Sequence, residues 1–171
     1  MTEYRKYPVS TTGMPPGIPY IISNEAAERF SFYGMKAALA IFLANYLGVL
    51  GGSNLTETEA TSYVSWFNTA VYLTPLFGAI IADAFFGKYR TIVSLSIVYC
   101  LGHLCLALMG VGGVVQFWLL GGLGLISLGA GGIKPCVSAH VGDQFGAKNQ
   151  CLITKIFNIF YFSINFIFFN T

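Results

Sequence analysis

NEAAERFSFYGMKAALAIFLANYLGVLGG, residues 24–52, sets four charges at the head of a long apolar run. Glu25, Glu28 and Arg29 come first, Lys36 follows, and beyond Lys36 the run carries no charge. Glu25, Glu28 and Arg29 stand at i, i+3 and i+4, so on a helix they share one face. Tyr33 lies one turn beyond Arg29, and Lys36 seven residues beyond it, so the stripe reads Glu25, Arg29, Tyr33, Lys36. Met35, Leu39, Phe42 and Leu43 are left as lipid-facing or packing positions further along.

The rest of the chain puts this segment in a membrane. Of 171 residues, 55% are hydrophobic and 9% are charged; ordinary globular domains carry about 25% charged residues. So few charges cannot cover a water-facing surface, and the chain reads as an integral membrane protein. The net charge of +2 is too small to argue for nucleic acid, and no such partner is expected. Residues 1–18, MTEYRKYPVSTTGMPPGI, are polar and proline-rich. They lack the apolar core and cleavage site of a signal peptide, and read as a cytoplasmic tail leading into the first helix. Cys100, Cys105, Cys136 and Cys151 form no Cys-x-x-Cys pair. Buried or lipid-facing thiols are expected, not a disulfide framework or a zinc site.

A spanning helix needs roughly 20 apolar residues. Five candidates run over about 19–48, 62–86, 91–111, 115–137 and 152–169. The runs are continuous, without the alternation of a membrane β-barrel; helices satisfy their own backbone groups in lipid. The fold expected is all-α. Arg5 and Lys6 precede the first helix, Lys88 and Arg90 join the second to the third, and Lys148 and Lys155 lie between or beside the fourth and fifth. The other connectors, GGSNLTETEAT and MGVGGVV, hold no Lys or Arg. Such asymmetry places the N-terminus in the cytoplasm. In the fourth run, GGLGLISLGAGGIKP, Ser127 and Gly131 share a face on which helices can approach closely. Pro135 can kink that helix. The last run, KIFNIFYFSINFIFFNT, is rich in Phe, Ile and Asn and stops without a polar tail; an incomplete chain is expected.

Charges inside a membrane are costly, about 2.5–3.5 kcal/mol each at its centre. Glu25 either remains among the headgroups or, with Glu28 and Arg29, lines a polar cavity where carboxylates can take up protons. Burial raises a carboxylate pKa and a nearby cation lowers it, so a ligand competing for the cation changes proton affinity. Lys134 either snorkels to the interface or pairs with Glu25 or Glu28. Asp83, at a helix end before Gly87, Lys88 and Arg90, either belongs to a charge cluster or simply accompanies topology-setting charges. His103 and His140 read as structural. No nucleophile–base set, metal spacing or phosphate loop emerges, so no enzyme and no cofactor are expected.

These residues carry a family resemblance. NEAAERFSFYGMKAAL resembles the ExxERFxYYG signature of the proton-dependent oligopeptide transporters, within the major facilitator superfamily. GAIIADAFFGKYRTI resembles their loop between helices two and three. GAGGIKPCVSAHVGDQFG resembles a second signature, close to the animal peptide transporters, and FNIFYFSIN the start of their fifth helix. The resemblance runs from about Pro19 to Asn165.

It implies an incomplete six-helix N-terminal half of a major facilitator fold, and symport of di- and tripeptides with protons as the coupling ion. It implies proton coupling at Glu25, Glu28, Arg29 and Lys134. Substrate contacts are implied at Arg29, Tyr33, Lys36, Tyr72, Lys134 and Asn165, and a gating loop at Asp83, Lys88 and Arg90. The expected setting is the plasma or inner membrane. The chain is expected to be inactive without the missing C-terminal half or a full-length partner transporter. Departures are Phe32 where the family commonly has Tyr, Lys36 for a common Arg, which loses the bidentate fork, and Ser65 where animal members carry a functional His. Two other readings stand beside this one: transport of nitrate or another small anion on the same fold, and a non-transporting fragment that associates with a full-length transporter.

Overall fold

The computed structural model describes residues 7–170, with side chains up to Ile167. Arg5 and Lys6, read above as topology-setting charges, lie outside the described residues. Five long helices form: α1 (Ile18–Asn45), α2 (Glu57–Ile81), α3 (Lys88–Ala107), α4 (Val115–Asp143) and α5 (Ile153–Asn170). Among the described residues there is no strand. α3, α4, α2 extended to Phe86, and α5 taken from Gln150 are each long and apolar enough to cross a membrane. α1, with 28 residues, rises about 42 Å, long enough to span, but Glu25, Glu28, Arg29 and Lys36 keep it outside that apolar set.

The helix ends differ from the hydropathy reading for local reasons. α2 begins at Glu57, not at 62, because Thr56 and Glu59 close a capping box. The Glu59 N–H donates to Thr56 Oγ1 at 3.3 Å and the Thr56 N–H to Glu59 Oε2 at 2.9 Å. Two amides left over at a helix start are thereby satisfied, and the polar first turn folds although it adds nothing to hydropathy. α2 continues as a π-helical turn, Ala82–Phe86, which Gly87 ends at φ 75°. α1 stops at Asn45 and yields to a 3₁₀ turn, Leu47–Leu50, closed by Gly51 at φ 89°. α4 runs through Pro135 to Asp143, six residues beyond the expected end at 137. The polar turns after the proline keep their helical bonds although the apolar run has finished.

The chain divides into two compact units, one holding the chain up to Tyr33 and from Val137 on, the other Gly34–Cys136. α1 and α4 contribute to both. In the second unit the buried face of α2, formed by Ala60, Phe67, Val71, Thr74 and Gly78, meets α4. Thr74 donates to the Ser127 carbonyl at 2.8 Å, and Cys136 Sγ lies 3.7 Å from the Gly78 carbonyl. The small residues of α4 admit this approach, as the sequence anticipates.

The first unit is tied together by Asn149, which is fully buried. Its Oδ1 accepts from the Gly146 N–H at 2.8 Å, and its Nδ2 donates to the Gly13 carbonyl at 3.2 Å. One amide thus fixes the turn before α5 to the segment entering α1. Replacing it by Ala removes both bonds, to the half-buried Gly146 and the exposed Gly13, each worth about 0.5–1.5 kcal/mol. Asn149→Ala is expected to lower the midpoint of thermal unfolding in detergent clearly, while replacement of exposed Lys148 by Ala leaves it unchanged. Equal midpoints would mean that the latch carries no stability.

Candidate transmembrane binding site

Helical spacing brings Glu25, Glu28 and Arg29 together as the sequence predicts. Arg29 Nε donates to Glu25 Oε1 at 2.7 Å, and the same nitrogen lies 2.9 Å from Glu28 Oε2. Glu25 is 3%, Glu28 8% and Arg29 2% exposed. All three side chains are therefore enclosed by protein. Two carboxylates converge on one N–H of the guanidinium. Glu25 Oε2 and Arg29 Nη2 are buried and make no hydrogen bond among the described residues. Counted over these three side chains alone, two negative groups and one positive group give a formal charge of −1. A proton on either acid removes that charge, and a loosened guanidinium can turn its Nη edge to another carboxylate, which it fits as a planar fork.

Phe32 and Tyr33 follow on the same helix, their rings edge to face at 5.6 Å. Phe32 is buried, so the hydroxyl missing here would have needed a buried partner. Tyr33 is half-buried.

In the second unit, Lys36 is half-buried. Lys134 Nζ stands 5.3 Å from the centre of the Tyr72 ring, within reach of a cation–π attraction. Tyr72 is otherwise exposed. This contact joins α2 to α4 across 62 positions of sequence and is not foreseen from spacing. Asp83 sits exposed on the π-helical turn, Lys88 is half-buried and Arg90 exposed, all around the positive-φ Gly87. Asn165, on α5 in the first unit, is exposed and donates to the Tyr161 carbonyl at 2.8 Å, so part of its amide is spent on its own helix. His103 packs edge-on against Tyr99 at 4.6 Å.

The sequence reading passes over the exposed face of α2. Glu57, Thr61, Ser65 and Thr69 recur every fourth residue, a signal available from the sequence and hidden by attention to apolar runs. These residues line an open cavity.

With the geometry in place, the likeness to known proteins is specific. The sequence pattern of the POT family matches residues 89–166. Solute carrier family 15 member 2 of Danio rerio is 46% identical over 159 residues, covering 90% of this chain and 21% of the relative. Peptide transporter family 1 of Caenorhabditis elegans is 41% identical over 166 residues, covering 95% of this chain and 19% of the relative. The crystal structure of the POT family transporter PepTSo superposes with a TM-score of 0.81 at 47% identity, over 92% of this chain and 30% of that one. The chain thus spans about a fifth of the curated relatives it matches. Sequence motifs, helices and superposition agree in what they match: the chain is similar to the POT family in sequence and in fold.

Proposed function

We propose that this chain contributes to the substrate cavity of a transporter that moves di- and tripeptides together with protons. The observation that carries the reading is the buried cluster in which Arg29 Nε serves both Glu25 and Glu28. The names of the relatives, peptide transporters among them, supply the substrate class.

In the proposed cycle a proton binds Glu25 or Glu28. Arg29, released from one acid, turns toward the carboxylate of the peptide, and Lys134 adds a second positive charge. Tyr33, Lys36, Tyr72 and Asn165 contribute further contacts. Loss of the proton restores the ion pairs and favours release. Protons are the coupling ion and no other cofactor enters. The Asp83, Lys88 and Arg90 turn acts in gating on the cytoplasmic side. The N-terminus is cytoplasmic, because Lys88, Arg90, Lys148 and Lys155 fall in or beside alternate connectors, while residues 51–61 and 109–115 hold no basic residue. The membrane is the cell membrane. The greater length of the relatives supplies the rest of the cavity.

Uptake of a labelled dipeptide by cells expressing the chain completed with the remaining helices of a POT family relative tests this. Uptake is expected to rise in acid medium and to be competed by unlabelled di- and tripeptides. With Glu25 and Glu28 both replaced by Gln, acid stimulation should vanish while exchange of peptide for peptide persists. Acid-driven accumulation that survives the double replacement would falsify the coupling role. Competition by nitrate and not by peptides would move the substrate to small anions.

A further inference from the structure

The connector from α1 to α2 reads Asn54, Leu55, Thr56, and no other Asn in the chain stands two residues before a Ser or Thr. Asn-x-Ser/Thr, with x other than proline, is the acceptor pattern for an N-linked glycan. Whether it can act as one depends on where the connector stands. The 3₁₀ turn Leu47–Leu50 and Gly51 lead the chain out of α1. Residues 53–56 are neither helix nor strand, and Asn54 and Thr56 are exposed. α2 then begins with Glu57, Thr58, Glu59 and Thr61, and its apolar run opens only at about 62. From Thr56 to Ser62 the helix rises about 9 Å. Carboxylates avoid the hydrocarbon, so this polar turn holds the connector in water. Asn54 thus lies between two consecutive helices, beyond their membrane ends, and not on a helix face.

The local bonds suit a modified side chain. Asn54 Oδ1 accepts from the Gly48 N–H at 2.6 Å, and the Leu55 N–H donates to the Leu43 carbonyl at 3.1 Å. Asn54 Nδ2 makes no hydrogen bond among the described residues. An asparagine substituted at Nδ2 keeps its carbonyl oxygen as an acceptor, so the bond to Gly48 survives the modification. Thr56 is engaged differently. Its hydroxyl donates to Glu59 Oε2 at 2.8 Å and accepts from the Glu59 N–H at 3.3 Å. A transferase that reads this hydroxyl needs it free. Transfer therefore precedes closure of the capping box, while the chain is being inserted, and the finished fold accommodates the product.

We propose that Asn54 is an N-glycosylation site on the non-cytoplasmic side of the membrane. The inference rests on the orientation proposed above, which sets residues 51–61 opposite the basic connectors. The co-reactant is an oligosaccharide carried on a lipid pyrophosphate, and a membrane-bound transferase supplies the catalysis. Asn54 Nδ2 attacks the anomeric carbon of the first sugar. The bond from that carbon to the pyrophosphate oxygen breaks as the nitrogen–carbon bond forms. The amide gives up one proton, the lipid pyrophosphate leaves, and nothing is oxidised or reduced. A glycan on this connector cannot cross the hydrocarbon, so once attached it holds the ends of α1 and α2 on the outer side.

Expression of the chain in animal cells tests the site without requiring transport. Microsomal membranes are digested with peptide N-glycosidase and the chain is followed by gel mobility. A single slower band is expected, which digestion collapses to the bare chain. Asn54→Gln and Thr56→Asp should lose that band, and Thr56→Ser should keep it. Aspartate still caps a helix, so loss of the band in Thr56→Asp reports the acceptor hydroxyl and not a misfolded α2. Orientation is read separately, with Ser53→Cys placed in the Thr56→Asp chain. In sealed microsomes with the cytoplasmic face outward, it should resist a membrane-impermeant polyethylene glycol maleimide until detergent opens the vesicles. The Thr56→Asp chain alone gives the background from Cys100, Cys105, Cys136 and Cys151. Protection of Ser53→Cys without any glycosidase-sensitive band overturns the glycan and leaves the orientation standing. Labelling of Ser53→Cys in sealed vesicles overturns the orientation and the glycan with it. A glycosidase-sensitive band that persists in Asn54→Gln overturns Asn54 as the site.

Discussion

Replacement of Arg29 by Met is expected to be the most damaging single change in the charged cluster. Arg29 is 2% exposed and Glu25 3%, so its loss takes the shared guanidinium from two adjacent buried carboxylates. Removing one partner of a buried ion pair costs about 3–5 kcal/mol, because the remaining charge keeps its desolvation cost without its counterion. The acids can escape only by binding protons. Arg29→Met should therefore reach the membrane in much reduced amount at neutral pH. The triple change Glu25→Gln, Glu28→Gln, Arg29→Met should recover most of that abundance and remain inactive in uptake. Surface abundance and uptake, measured side by side, separate the structural and transport roles. Wild-type abundance of Arg29→Met would mean that the acids are neutral without it, and that Arg29 does not hold them ionised.

That cluster was legible in the sequence because helical spacing alone brings Glu25, Glu28 and Arg29 onto one face, and because charges in an apolar run demand partners. The five helices were legible for the same reason: the bilayer sets the length of an apolar run. What stayed hidden depends on polar local chemistry or on distance along the chain. The first turn of α2 folds through the Thr56–Glu59 capping box, which hydropathy does not register. α4 outlasts its apolar run because backbone bonds, not side chains, continue it past Pro135. Lys134 meeting Tyr72 and Asn149 reaching Gly13 need the tertiary fold. The hydroxyl face of α2 carries a four-residue period in plain view, yet its meaning depends on knowing that the opposite face is the buried one.

The second large effect is expected at Gly131, where α4 meets α2. A Cβ there would overlap Thr74 Oγ1 and come 2.6 Å from the Val71 carbonyl. The hydroxyl can rotate, but the carbonyl belongs to a helix backbone and cannot move without shifting α2. Gly131→Ala should therefore cost more than the usual 1–3 kcal/mol of an overpacked site, and trimming Thr74 to Ala in the same chain should relieve only part of it. Gly124 offers the control on the same helix, since a Cβ there meets nothing within 4 Å. Gly124→Ala should be neutral or slightly stabilising, because alanine loses less backbone entropy in a helix than glycine does. Thermal unfolding in detergent distinguishes the two sites. If helix propensity governed both, both alanines would stabilise; if packing governs Gly131, the midpoint falls there and holds at Gly124. The consequence extends to the site. Thr74, one turn past Val71 on the buried face, shares its helix with Tyr72, and Gly131 is one turn before Pro135 and three residues before Lys134. A displacement of α2 against α4 would carry the Tyr72 ring away from the Lys134 ammonium. A Gly131→Ala protein that still folds should thus lose peptide affinity as well as stability, whereas Gly124→Ala should keep both.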